Sequence, residues 1–88
     1  MQTEDDWRTI FEQWPADLPR QGILTTAQES FGFSDFLVSR AILLVERERP
    51  DAAGARKVML PFSSLLALKL TDPGPIERYQ TLGFGQTG

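Results

Sequence analysis

The chain predicts a mainly β fold, a small five-stranded barrel with one N-terminal α-helix. Three observations carry this. Val58-Met59-Leu60-Pro61-Phe62-Ser63-Ser64-Leu65-Leu66-Ala67-Leu68-Lys69-Leu70 reads as strand, tight corner, strand. Pro61 cannot donate to a ladder, and Ser63 and Ser64 favour local turns, so pairing breaks between them. Upstream, short apolar runs alternate with turn residues. At the start, Trp7, Ile10, Phe11 and Trp14 fall at i, i+3, i+4 and i+7, one face of a helix.

The elements follow in order. Residues 4–14 form the helix. Thr3 with Asp6 resembles a capping box with a shorter acid, and Glu4, Asp5 and Asp6 suit the positive end of the helix dipole. Pro15 ends the helix, and residues 16–20 connect it to the sheet. Residues 22–27 make a first strand and 28–30 a polar turn. Residues 31–38 make a second strand, with a bulge at Ser34-Asp35 where the apolar alternation slips. After Ser39-Arg40, residues 41–48 are the clearest strand and Pro50-Asp51-Ala52-Ala53-Gly54 the clearest loop. Residues 57–60 and 65–70 flank the Pro61 corner. Residues 76–82 suit a short helix with Pro75 at its first turn and Gly83 at its stop, and 83–88 form a tail.

Eighty-eight residues make one domain: helix 4–14, barrel 22–70, C-terminal segment 71–88. With neither cysteine nor histidine, a disulfide framework, a thiolate metal site and a histidine-activated serine are excluded. The acidic opening Met1-Gln2-Thr3-Glu4-Asp5-Asp6 does not read as a signal peptide, and no run approaches the roughly 20 apolar residues of a membrane helix. The cytoplasm is the expected compartment. Net charge is −3, the wrong sign for a phosphate-backbone binder.

No residue stands out as catalytic, cofactor-binding or metal-ligating, and neither enzymatic activity nor a cofactor is expected. Glu46 and Glu48 sit two apart on one strand, without the further partners that acid–base chemistry needs; a charged, solvated edge is the plainer reading. Gly83-Phe84-Gly85-Gln86-Thr87-Gly88 matches the glycine-rich dinucleotide pattern but has no helix after it. Arg47, Arg49, Arg56 and Lys57 form a candidate basic patch that Glu46, Glu48 and Asp51 reduce to +1, so cross-strand ion pairs are expected there. Trp7 and Trp14 suit packing more than a partner site, although large aromatics also anchor interfaces.

In Ala41-Ile42-Leu43-Leu44-Val45 and in Val58-Met59-Leu60 both strand faces are apolar. A small barrel fills only its inner face, and one short helix cannot cover the remainder. Leu43, Val45 and Met59, with Trp7 and Trp14, are therefore the candidate interface for a homo-oligomer or a protein partner. Past Val45, Glu46-Arg47-Glu48-Arg49 is expected to leave the core and project into water.

One helix, five short strands, a long third-to-fourth hairpin and a tight last corner resemble the layout of Sm-like and SH3-like barrels. The element order is closest to that of the bacterial Sm-like RNA chaperones. The matching pieces are the helix through Trp14, the connector with Pro19, strands at 23–27, 31–38 and 41–45, then 58–60, Pro61-Phe62-Ser63-Ser64 and 65–70. The resemblance implies a ring-forming barrel and, as the alternative function, RNA binding. Where those chaperones carry a lysine-histidine pair, this chain has Pro61-Phe62, and the family's glycine-rich Asn/Asp corner is missing. The expectation is thus a non-enzymatic interaction module, a dimer or a ring, with RNA binding kept as the alternative and no membrane partner.

Overall fold

A computed structural model describes residues 3–85. Helix α1 (Thr3–Glu12) leads into five strands, β1 (Gly22–Thr25), β2 (Ser30–Val38), β3 (Ile42–Arg47), β4 (Lys57–Pro61) and β5 (Ala67–Lys69). A 3-10 turn at Phe62–Ser64 joins β4 to β5, and a 3-10 helix at Ile76–Leu82 follows the sheet. The strands are all antiparallel, in the order β4-β3-β2-β1-β5.

β4 and β5 are thus consecutive in the chain yet occupy opposite edges of the sheet. Across a flat five-stranded sheet they would lie about 19 Å apart. Their linker, part of it in 3-10 conformation, reaches only about 16 Å. The sheet must curl, and its inner face closes over Leu24, Phe31, Phe33, Phe36, Leu43, Val45, Leu60, Phe62 and Leu65. The ladder itself does not close, because β4 and β5 do not pair with each other. The expected five strands and helix are present in a curled, open sheet rather than a hydrogen-bonded barrel.

The bulge in β2 has a clear cause. Phe31 and Phe33 face inward, and strict alternation would turn Phe36 out to solvent. The β2–β3 register shifts between Phe33 and Asp35, which returns Phe36 to the inside opposite Val45. The carboxylate of Asp35 accepts the N–H of Phe36 at 2.8 Å and fixes the irregularity.

Helix α1 lies over the inner face with Phe11 at its centre, 1% exposed. The Phe11 ring meets Phe36 edge-on at 5.0 Å and stacks on Trp14 at 5.6 Å. The helix ends at Glu12, two residues before its expected limit, so Trp14 stands beyond it. Its indole N–H donates to the carbonyls of Leu18 (3.1 Å) and Pro19 (3.3 Å), and its ring packs on Phe36 at 4.9 Å. Trp7 is half-buried against the same core. The helix face and Trp14 are therefore committed to packing.

Candidate functional site

The β3–β4 register decides which apolar residues face out. Leu43 pairs with Leu60 and Val45 with Val58, while Leu44 pairs with Met59 and Ile42 with Pro61. Leu43 and Val45 are fully buried in the core. The candidate interface therefore splits: Leu43 and Val45 belong inside, and Met59, 73% exposed, lies on the opposite face. Read strand by strand, the sequence carries no mutual register that would separate the two groups.

The outer face has a simple order. Leu37, Leu44 and Met59 form a row across β2, β3 and β4, with Leu37 64% exposed. Ile42 and Pro61 continue it on one side. On the other side Asp35, Glu46 and Lys57 form a charged row. Between the rows is a depression of about 100 Å³ lined by Leu37, Leu44, Glu46 and Lys57 among others. The charges are matched within the chain: Lys57 Nζ lies 3.2 Å from Glu46, and Arg20 lies 3.7 Å from Asp35 while its guanidinium covers the Phe36 ring at 4.6 Å. The sequence does not single out Leu37; it opposes Ile42 and Leu44 to Leu43 and Val45 without deciding which set faces out. The outward position of Leu37 follows from the bulge, and that of Ile42 and Leu44 from their alternation with the buried Leu43 and Val45.

The candidate basic patch is not a free cationic surface. Arg47 does not project into water: its side chain is 12% exposed, lies 3.4 Å from Glu29 and stacks over Phe31 at 4.7 Å. Lys57 pairs with Glu46, which leaves Arg49 and Arg56, of these four, exposed without a carboxylate within bridging distance among the described residues. Glu46 and Glu48 take separate partners. Glu46 faces Lys57, and the Glu48 carboxylate packs against Gly32, where an added Cβ would come within 3.0 Å of it. Among the described residues no cluster of three metal-ligating side chains occurs, and no helix is long and apolar enough to cross a membrane.

A second cluster holds the C-terminal segment. Asp72 accepts hydrogen bonds from Tyr79 Oη (2.6 Å), the Gly74 N–H (3.0 Å) and Arg78 Nη1 (3.0 Å). Arg78 Nη2 reaches on to Asp17 at 2.6 Å, tying the segment to the helix–sheet connector. The Tyr79 hydroxyl and the Gly74 N–H, with Arg78, hold the Asp72 carboxyl below the usual carboxylate range. Desolvation and the Asp72 carboxylate push the Tyr79 phenol up. Desolvation opposes the charge on Arg78, but its two carboxylates outweigh that and raise it. The sequence reads residues 76–82 as a short helix, observed here in 3-10 form, and its only sign of the Asp72 contacts is the Asp-Pro-Gly turn before it. Gly83 stops the 3-10 helix at φ 102°, and the glycine-rich pattern runs on into residues 86–88, outside the described residues.

Comparison of the chain with protein-family models, curated proteins and solved structures finds no match.

Proposed function

We propose that this chain is a non-enzymatic interaction module on a small Sm-like or SH3-like scaffold, and that it acts by associating with itself. The observation that carries the reading is the outer-face row Leu37–Leu44–Met59, in which Leu37 and Met59 are exposed and Leu44 is half-buried between them. Three large apolar side chains share one face although the core is already filled from the other. The neighbouring charges are matched at home by Lys57–Glu46 and Arg20–Asp35, so a second copy meets apolar surface beside neutralised pairs. Such a face favours an isologous contact. A patch three strands wide offers a few hundred Å² at most, below the roughly 800 Å² per partner of a standard stable interface, so the face alone supports weak association.

Sedimentation velocity from ten to several hundred micromolar tests this. The wild type is expected to gain mass with concentration, and Met59→Glu, on the exposed face away from the core, to stay monomeric and folded. A wild-type monomer throughout that range overturns the reading.

A further inference from the structure

We infer that two copies pair edge to edge through β4 in one specific register, joining their sheets around a two-fold axis. The inference rests on the proposal that the chain self-associates, and it names the contact.

The backbone hydrogen bonds fix which groups of β4 are free. Arg47 N–H donates to Arg56 O (2.7 Å) and Phe62 N–H to Ala41 O (3.2 Å). In an antiparallel ladder such bonded pairs recur every second residue. Residues 56, 58, 60 and 62 therefore turn their backbone groups toward β3, and Lys57, Met59 and Pro61 turn theirs to the open edge. Pro61 has no N–H to offer, and its carbonyl is taken by Ser64 Oγ at 2.8 Å. Among the described residues, the open edge is left with two N–H donors, those of Lys57 and Met59, and their two carbonyl acceptors, with the Pro61 carbonyl already engaged.

Two such edges satisfy each other in one antiparallel register only. Lys57 opposite Met59 of the second copy, with the two-fold repeat of that pair, uses all four groups of each chain in four hydrogen bonds. Val58 then faces its own copy across the axis. A shift by one pair in one direction sets Lys57 against Lys57, two like charges. The shift in the other direction asks Pro61 for a hydrogen it lacks. Lysine and proline are residues that blunt sheet edges. Here they exclude the neighbouring registers and leave this one. On the outer face the Met59 side chains approach diagonally across the axis, so the apolar rows of the two copies meet corner to corner and the two-fold symmetry closes the assembly.

The chain contains no cysteine, so one introduced thiol reports its own neighbour. In the paired edge Val58 forms a non-hydrogen-bonded cross-strand pair, about 4.5 Å between Cα atoms and within disulfide reach. The Met59 residues are diagonal, about 7–8 Å apart, beyond it. Val58→Cys is expected to form a covalent dimer under mild oxidation at least tenfold faster than Met59→Cys. Met59→Pro, which removes an edge donor without touching the β3 ladder, is expected to weaken self-association at least tenfold with the circular dichroism of the folded chain retained. A wild-type dimer in which Met59→Cys cross-links faster than Val58→Cys overturns edge pairing and leaves contact through the outer faces, and one in which Met59→Pro associates as the wild type does overturns edge pairing as well. A wild-type monomer overturns both.

Discussion

Replacing Phe11 by alanine is the most informative perturbation of the fold. The ring is 1% exposed and touches four others, at 5.6 Å (Trp14), 5.0 Å (Phe36), 6.4 Å (Phe33) and 6.2 Å (Phe62). It sits where helix, bulged strand and last corner converge, so no neighbour can collapse into the space without moving an element. A fully buried phenylalanine cut to alanine costs about 3–5 kcal/mol, and a poorly collapsing site lies at the upper end. A domain of this length holds roughly 4–13 kcal/mol in total. The loss is thus a large fraction of the stability, with a fall in Tm of about 12–40 °C at 4–8 °C per kcal/mol. Urea unfolding followed by tryptophan fluorescence measures it, because Trp7 and Trp14 both report on the helix–sheet contact. Phe11→Leu, which keeps most of the volume, should lose about 1–2 kcal/mol. A Phe11→Ala loss below about 1 kcal/mol would show that α1 is not anchored on the inner face.

Three further outcomes follow from particular contacts. Leu43→Glu should unfold the chain and Ile42→Glu should leave it folded, since Leu43 is fully buried and Ile42 faces out; far-ultraviolet circular dichroism separates them, and the reverse result would refute the β3–β4 register. The C-terminal cluster sets two pH limits. The depressed Asp72 contributes stability above the ordinary carboxylate value near 4, lost as pH falls through its lower folded value, and the raised Tyr79 contributes below the ordinary phenol value near 10, lost as pH rises through its higher one. Tyr79 is the only tyrosine, so its absorbance titration should show a raised midpoint that Asp72→Asn lowers; an unchanged midpoint refutes the contact. Fluorescence anisotropy with poly-A and poly-U oligomers should show no specific binding below about 1 μM at physiological salt, because Arg47 and Lys57 are paired at home; tight binding that falls steeply with salt would favour the RNA-binding alternative.

The helix, the five strands, the bulge and the Pro61 corner were legible because each has a local cause: 3.6-residue spacing, period-two alternation and its slip at Ser34-Asp35, a proline at the end of a ladder. What was not legible depends on pairing. Leu43 and Met59 look equivalent along their own strands, and only the partner register sends one inward and the other out. Arg47 reads as a solvated charge until Phe31 and Glu29 arrive beside it from another part of the chain. The Asp72 cluster draws on Asp17, far away in sequence, which no local pattern announces. The open ladder is likewise a global property, since it depends on how far the sheet curls.

The strand order also shapes how the chain finds its fold. β1 through β4 form a meander whose first two connections leave only residues 26–29 and 39–41 between strands, whereas the β1–β5 pairing encloses residues 26–66. Closing that longer segment costs about 2 kcal/mol more in chain entropy than closing either short hairpin. The meander is therefore the natural early structure, and the docking of β5 on β1 the late event that seals the core. Until then the β1 edge lies open, and a neighbouring chain offering its own last strand could take the place of the missing β5. Ordered assembly and strand exchange thus compete for the same three residues of β1, Ile23, Leu24 and Thr25.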